Sequence, residues 1–127
     1  MKALTVKRPW ANLIASGQKT IELRTWAPSE VPCRIAIHAG QAFDRRGTEF
    51  DDNLDSIGNI LCTVEVRHVR PATYLDCVAA CLSSAHLRDA RSLANSKGRQ
   101  LLAWELRNAE PIAPTYHIGK LGLWQLP

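Results

Sequence analysis

The chain has 127 residues, 46% hydrophobic and 22% charged, close to ordinary globular usage, which excludes intrinsic disorder. At this length one core and a single domain over residues 1–127 are expected. The net charge of +4, with an isoelectric point near 9.1, permits nucleic-acid or phosphate partners without requiring them. No apolar run approaches the ~18 residues of a membrane helix, and no secretory pattern opens the chain. Cys33, Cys62, Cys77 and Cys81 follow no paired framework. Together these features predict a soluble, cytoplasmic protein with reduced thiols, no cofactor and no membrane partner.

In chain order, Ala3–Val6 reads as a short strand. Pro9 suits the first position of a helix in which Trp10, Leu13 and Ile14 share a stripe, and Gly17 suits its end. Lys19–Arg24 alternates, sending Ile21 and Leu23 to a core and Thr20, Glu22 and Arg24 to the opposite face. Arg34–His38 alternates likewise, and residues 40–56 lose all pattern and read as a long loop. Ile57–Val69 is the longest strand signal, ended by Pro71. Tyr74–Leu82 fits a helix with Leu75, Val78, Ala79 and Leu82 on its stripe, and His86–Leu93 a second short one. Ser96–Arg99 is a basic turn, Leu101–Arg107 a strand, Pro111 and Pro114 punctuate a tail, and Leu121–Leu126 closes with a strand. About six irregularly spaced strands with two or three short helices predict an α+β fold, a small mixed β-barrel with helices around its mouth.

Charge is distributed in blocks. Residues 1–46 carry eight Lys/Arg against three Asp/Glu, residues 47–66 five acids and no base, and residues 67–127 eight bases against four acids. If the two basic blocks meet in space, they build one positive face opposite an acidic rim; charges simply scattered for solubility are the alternative.

Candidate chemistry concentrates between Arg8 and Trp26. Lys19 follows the Gly17 turn, while Glu22 and Arg24 share a strand face, so a cation, a carboxylate acceptor and a guanidinium donor fall close together. Such a set suits a polar heterocycle carrying phosphate, the carboxylate accepting from an amino group and the cations holding the anion. A plain surface ion pair accounts for Glu22 and Arg24 equally well. Trp10 reads as a core anchor, and Trp26 either caps the barrel or stacks on a base. Lys97, Gly98 and Arg99, with Arg88 and Arg91 before them, could extend a phosphate track or be simply solvated. Cys77 and Cys81 lack zinc-knuckle spacing and read as small apolar packing residues, so no metal site is predicted.

The run Gly17-Gln18-Lys19-Thr20-Ile21-Glu22-Leu23-Arg24 resembles the G-x-K-x-x-E-x-R pattern of the ASCH domain family, a branch of the PUA-like barrels. Arg8-Pro9-Trp10-Ala11, Ile35-Ala36-Ile37-His38-Ala39 and the ending from Trp104-Glu105 through Gly119-Lys120-Leu121-Gly122-Leu123-Trp124 are similar to that family too. The resemblance implies a barrel with a cleft beside the motif that binds RNA or a modified nucleoside, lined by Lys19, Glu22 and Arg24 with Arg8 near its entrance. Trp10, Trp26 and His38 complete the candidate binding set. One branch of the family hydrolyses the amide of an acetylated cytidine with a lysine and a threonine three residues later. This chain has Glu22 at that second place, so an amidohydrolase here would use Lys19 as base and Glu22 to activate water. A ribonuclease would draw on His38 as acid or base. An adaptor would use the same basic cleft for a protein partner.

Overall fold

The computed structural model describes all residues from Met1 to Pro127. Six strands form one mixed sheet: β1 (Lys2–Arg8), β2 (Ile21–Arg24), β3 (Cys33–Phe43), β4 (Asn59–Pro71), β5 (Leu102–Tyr116) and β6 (Leu123–Gln125). Helix α1 (Trp10–Ala15) follows β1, and α2 (Ser84–Ser96) precedes β5. The order across the sheet is β2-β5-β4-β3-β1-β6, antiparallel throughout except that β1 runs parallel to β3. No helix is long and apolar enough to cross a membrane.

The α+β class and the strand count are those read from the sequence, but the sheet curls without closing into a barrel. Its edges, β2 and β6, are four and three residues long and do not pair with each other. The curl originates in the long β4–β5 ladder, where three register shifts insert bulges that bend and twist both strands. A side chain spans part of the remaining gap: Arg24, at the end of β2, donates from Nη2 to the Thr5 carbonyl of β1 at 3.2 Å.

Both faces of the sheet are covered, which alters the simple alternation. The main core joins Leu4, Val6, Trp10, Ile14, Ile35, Ile37, Val64, Trp104 and Leu106. A smaller cluster beneath α2 joins Ile21, Ala72, Ala80, Ala94, Leu101 and Ala103. Ile21 and Leu23 pack on that smaller cluster, so the opposite face of β2, with Glu22 beside Trp104, turns toward the main interior. Glu22 is therefore buried although its strand face is polar. In β3 the residues from Ile35 to Gly40 are all buried, as befits a central strand covered on both sides.

Three segments differ from their predicted form. Residues 74–82 make only a 3-10 turn (Tyr74–Asp76) and further turns, and Leu75 and Val78 stand 73% and 82% exposed. The backbone starts on i to i−3 bonds, Asp76 N–H to Thr73 and Cys77 N–H to Tyr74, and Cys81 turns the chain at a φ of 59°, while the last carbonyls face inward: Ala79 accepts the N–H groups of Thr20 and Ile21, and Ala80 accepts Lys19 Nζ. Second, β5 continues through Pro111 and Pro114 to Tyr116. Beyond Glu105 it pairs only with β4, and a strand with one neighbour tolerates proline's missing N–H. Third, β3 extends to Phe43, and residues 44–56 hold two 3-10 turns, Arg45–Gly47 and Leu54–Ser56. α1 itself starts at Trp10, with Pro9 as its cap.

Candidate functional site

A cleft of about 670 Å³ opens between β1, β2, the loop after β3, α2 and the segment before β6. Its lining gathers Lys7, Lys19, Arg24 and Arg46 from the first basic block and Lys97, Arg99 and Lys120 from the second. The acids on it are Glu22 and Asp44, and no residue of the acidic stretch 47–66 reaches it. The two basic blocks do meet in space, and they meet here.

Lys19 and Glu22 are buried charges of the cleft wall, and Arg24 beside them is partly exposed. The short run between α1 and β2 brings Lys19 inward: its backbone N–H donates to the Leu13 carbonyl, and its Nζ reaches the Ala80 carbonyl at 2.7 Å. Nζ also lies 3.6 Å from Glu22 Oε1 and 5.3 Å from the centre of the Trp10 ring, a cation–π contact. Glu22 Oε2 accepts from Arg24 Nε at 3.2 Å and Nη2 at 2.9 Å. Burial lowers the Lys19 pKa against the attraction of Glu22, which raises it. For Glu22, burial pushes the carboxyl up, but the charges of Lys19 and Arg24 and the Arg24 hydrogen bonds prevail and hold it below its ordinary 4.5. Glu22 is thus an anion, and Arg24 Nη1 makes no hydrogen bond within the protein. The cluster sets two basic side chains against one carboxylate and leaves an unused guanidinium donor and a carboxylate oxygen, Oε1, that lies 3.6 Å from Lys19 Nζ. It can hold a ligand with a hydrogen-bond donor on one side and negative charge on the other.

Beside it lies a second group. Trp10 Nε1 donates to Asp44 Oδ2 at 2.9 Å, and Asp44 also accepts from the backbone N–H of Arg46 and from the Arg46 guanidinium. Burial works to raise the Asp44 pKa, but these hydrogen bonds and the Arg46 charge hold it well below the usual carboxylate range. Gly47 allows this turn to pack on α1, since a Cβ there would sit 2.6 Å from the Pro9 ring and 3.2 Å from Trp10. Asp44 and Arg46 carry no sequence signal beyond an Asp capping a 3-10 turn, which is too short to show periodicity.

Trp10, at 6% exposure, is both a core anchor and part of the cleft wall. Trp26 lines the cleft half-buried, with its ring edge-on to Trp104 at 5.0 Å and its carbonyl accepting Trp104 Nε1. The structure does not bring Arg8 or His38 to the cleft. Arg8 is buried and spent on both Asp52 oxygens and the Gly40 and Gln41 carbonyls. His38 is buried between Thr5 Oγ1, the His117 carbonyl and the Trp124 ring.

The sequence profile of the ASCH domain matches residues 4–115. Comparison with curated proteins returned no match. Among solved structures, the crystal structure of the ASCH protein of Zymomonas mobilis superposes with a TM-score of 0.72 at 18% identity, covering 99% of this chain and 87% of that one. Structures of two single-substitution variants of that protein give TM-scores of 0.72 and 0.69 at 18% and 19% identity, each over 99% of this chain and 89% and 87% of theirs. At such identity the likeness is one of fold.

Proposed function

The chain belongs to the ASCH domain family, and we propose that its cleft binds RNA or a modified nucleoside through Lys19, Glu22 and Arg24. The observation that carries this reading is the convergence of seven cations, drawn from both basic blocks, on a cleft that also presents a buried carboxylate and two tryptophans. Phosphates supply the anionic partner such a rim attracts, and bases supply the donors and flat faces that Glu22 and Trp26 can meet. Lys19 serves as a fixed charge in this account. Its donors are directed at the Ala80 carbonyl, Glu22 and the Trp10 ring, so it orients Glu22 and strengthens the positive field.

A second reading, hydrolysis of an acyl group on a modified base, draws on the desolvated Lys19, whose lowered pKa suits a general base. Isothermal titration with a panel of nucleosides, N4-acetylcytidine included, and short single-stranded RNAs, followed by mass spectrometry of each mixture, separates the two. Binding with every ligand recovered intact is expected. A Lys97→Glu/Arg99→Glu variant should lower RNA affinity about tenfold or more and flatten its salt dependence. Loss of an acyl group establishes the hydrolase instead, and no binding anywhere on the panel overturns the reading in favour of a protein partner.

A further inference from the structure

The two lips of the cleft carry the same pair of side chains. Leu93, in the last turn of α2, and Lys97, its C-cap, are one turn apart and both line the cleft. On the second lip, the segment before β6, Lys120 and Leu121 are adjacent and line it as well. Leu93 is 59% exposed and Leu121 99%, and neither lysine pairs with a carboxylate. A single exposed leucine is unremarked on any surface, but two that face one cleft, each beside an unpaired cation, form a matched set.

The second lip is a strap tied down at both ends. His117 donates its N–H to the Gly58 carbonyl, and its own carbonyl lies 2.7 Å from His38 Nε2. Gly119 is pressed against β1 and β3: a Cβ there would meet Thr5 Oγ1 at 2.7 Å and the His38 ring at 2.9 Å. After the strap, Leu123–Gln125 pairs with β1, and Trp124 Nε1 donates to Thr5 Oγ1 at 3.1 Å. Between these anchors the tip, with Lys120 and Leu121, stands in solvent at the cleft mouth. His38, away from the cleft itself, thus positions the strap that forms its wall.

We propose that Leu93 and Leu121 form a clamp on one base seated in the cleft, while Lys97 and Lys120 take the phosphates on either side of it. The occupant is therefore an internal nucleotide of a single strand rather than a free nucleoside. Each lip offers apolar surface for a base and a cation for the phosphate next to it, which is the alternation a nucleotide chain presents. The Leu121 side chain leaves its apolar area in water in the free protein and recovers that cost only when something covers it. This inference rests on the reading of the cleft as an RNA site.

Fluorescence titration of a short single-stranded RNA, over a series of salt concentrations, tests it. Leu93→Ala and Leu121→Ala are expected each to weaken binding about fivefold to tenfold with the salt slope unchanged. Lys97→Ala and Lys120→Ala should each reduce the slope by about one. Because Leu121 has no protein neighbours to lose, its variant keeps the wild-type fold and thermal melt. RNA binding by the wild type with both leucine variants at wild-type affinity overturns the clamp alone. Failure of the wild type to bind any RNA overturns the clamp together with the reading beneath it.

Discussion

Two clusters in this molecule are made of the same chemical parts and differ in what they leave unused. In one, Lys19 and Arg24 flank Glu22 on the cleft side of β2. In the other, Arg70 binds Asp76 through Nη1 and Nη2 and Glu105 through Nε, with a further bond to the Pro71 carbonyl. Arg70 thereby has all three nitrogens engaged by its own chain, and its pKa is raised by those hydrogen bonds. Asp76 in turn accepts the Thr73 N–H in a capping box, so the cluster is a strut that fixes the turn after β4. Arg24 keeps Nη1 free, and Glu22 keeps Oε1 with only a long contact to Lys19. Neither ion pairing nor burial makes the first cluster a candidate site. Unfilled hydrogen-bonding capacity facing a cleft does, and the strut has none.

The comparison breaks most visibly at Glu22. Glu22→Ala leaves two cations in the interior without their anion, and removing one partner of a buried pair costs about 3–5 kcal/mol. Urea denaturation should show a loss of that size, and RNA affinity measured where the variant remains folded should fall with it. Arg70→Ala removes a half-exposed partner, so about 1–2 kcal/mol of stability is expected from the same titration. RNA affinity in that variant should stay within about twofold of wild type, since the strut offers the ligand nothing. Arg24→Lys sharpens the contrast further: it keeps the charge but loses the planar donor fork. Binding should weaken about tenfold, or ~1.4 kcal/mol, with a smaller change in stability.

Acid tests both clusters together. Glu22, Asp44 and Asp76 all have folded pKa values held below their ordinary 4.5, 3.8 and 3.8. For each, the folded state binds the proton less readily than the unfolded chain. Their contribution is therefore fully present above those ordinary values and is lost as pH falls below them toward the folded ones. Thermal melts from pH 6 downward should show stability falling most steeply below about pH 4.5. Glu22→Gln should flatten the part of that decline belonging to its own carboxyl. A decline of the same steepness in wild type and Glu22→Gln contradicts the assignment of a depressed pKa to Glu22.

Much of this was legible in the sequence. Lys19, Glu22 and Arg24 announce themselves by spacing, and the cleft does gather them with Trp10, Trp26 and the Lys97–Arg99 turn. The partition of charge into blocks raised the prospect of one positive face, and both basic blocks do line the cleft, while the 47–66 stretch touches it only from behind, through Gly47 and Phe50 against Trp10. What escaped has a common physical origin in long-range pairing. Arg8 reads as a cleft residue until Asp52, 44 positions away, claims its guanidinium. His38 reads as an acid or base until Thr5, His117 and Trp124 enclose it. The helix expected over Tyr74–Leu82 obeys periodicity, yet Arg70 holds Asp76 from β4 and the chain turns at Cys81, so only a 3-10 turn forms. Asp44 and Arg46 lie in a turn too short to have a period at all.

The difference between the two arginines can be read directly. In protein labelled with ¹⁵N, the Nε–H correlations of Arg24 and Arg70 report on each guanidinium while a short single-stranded RNA is titrated in. The account predicts that Arg24 Nε–H, with the indole N–H signals of Trp10 and Trp26, shifts in proportion to occupancy while Arg70 stays in place. RNA binding that moves Arg70 and leaves Arg24 and the two indoles unmoved would contradict it.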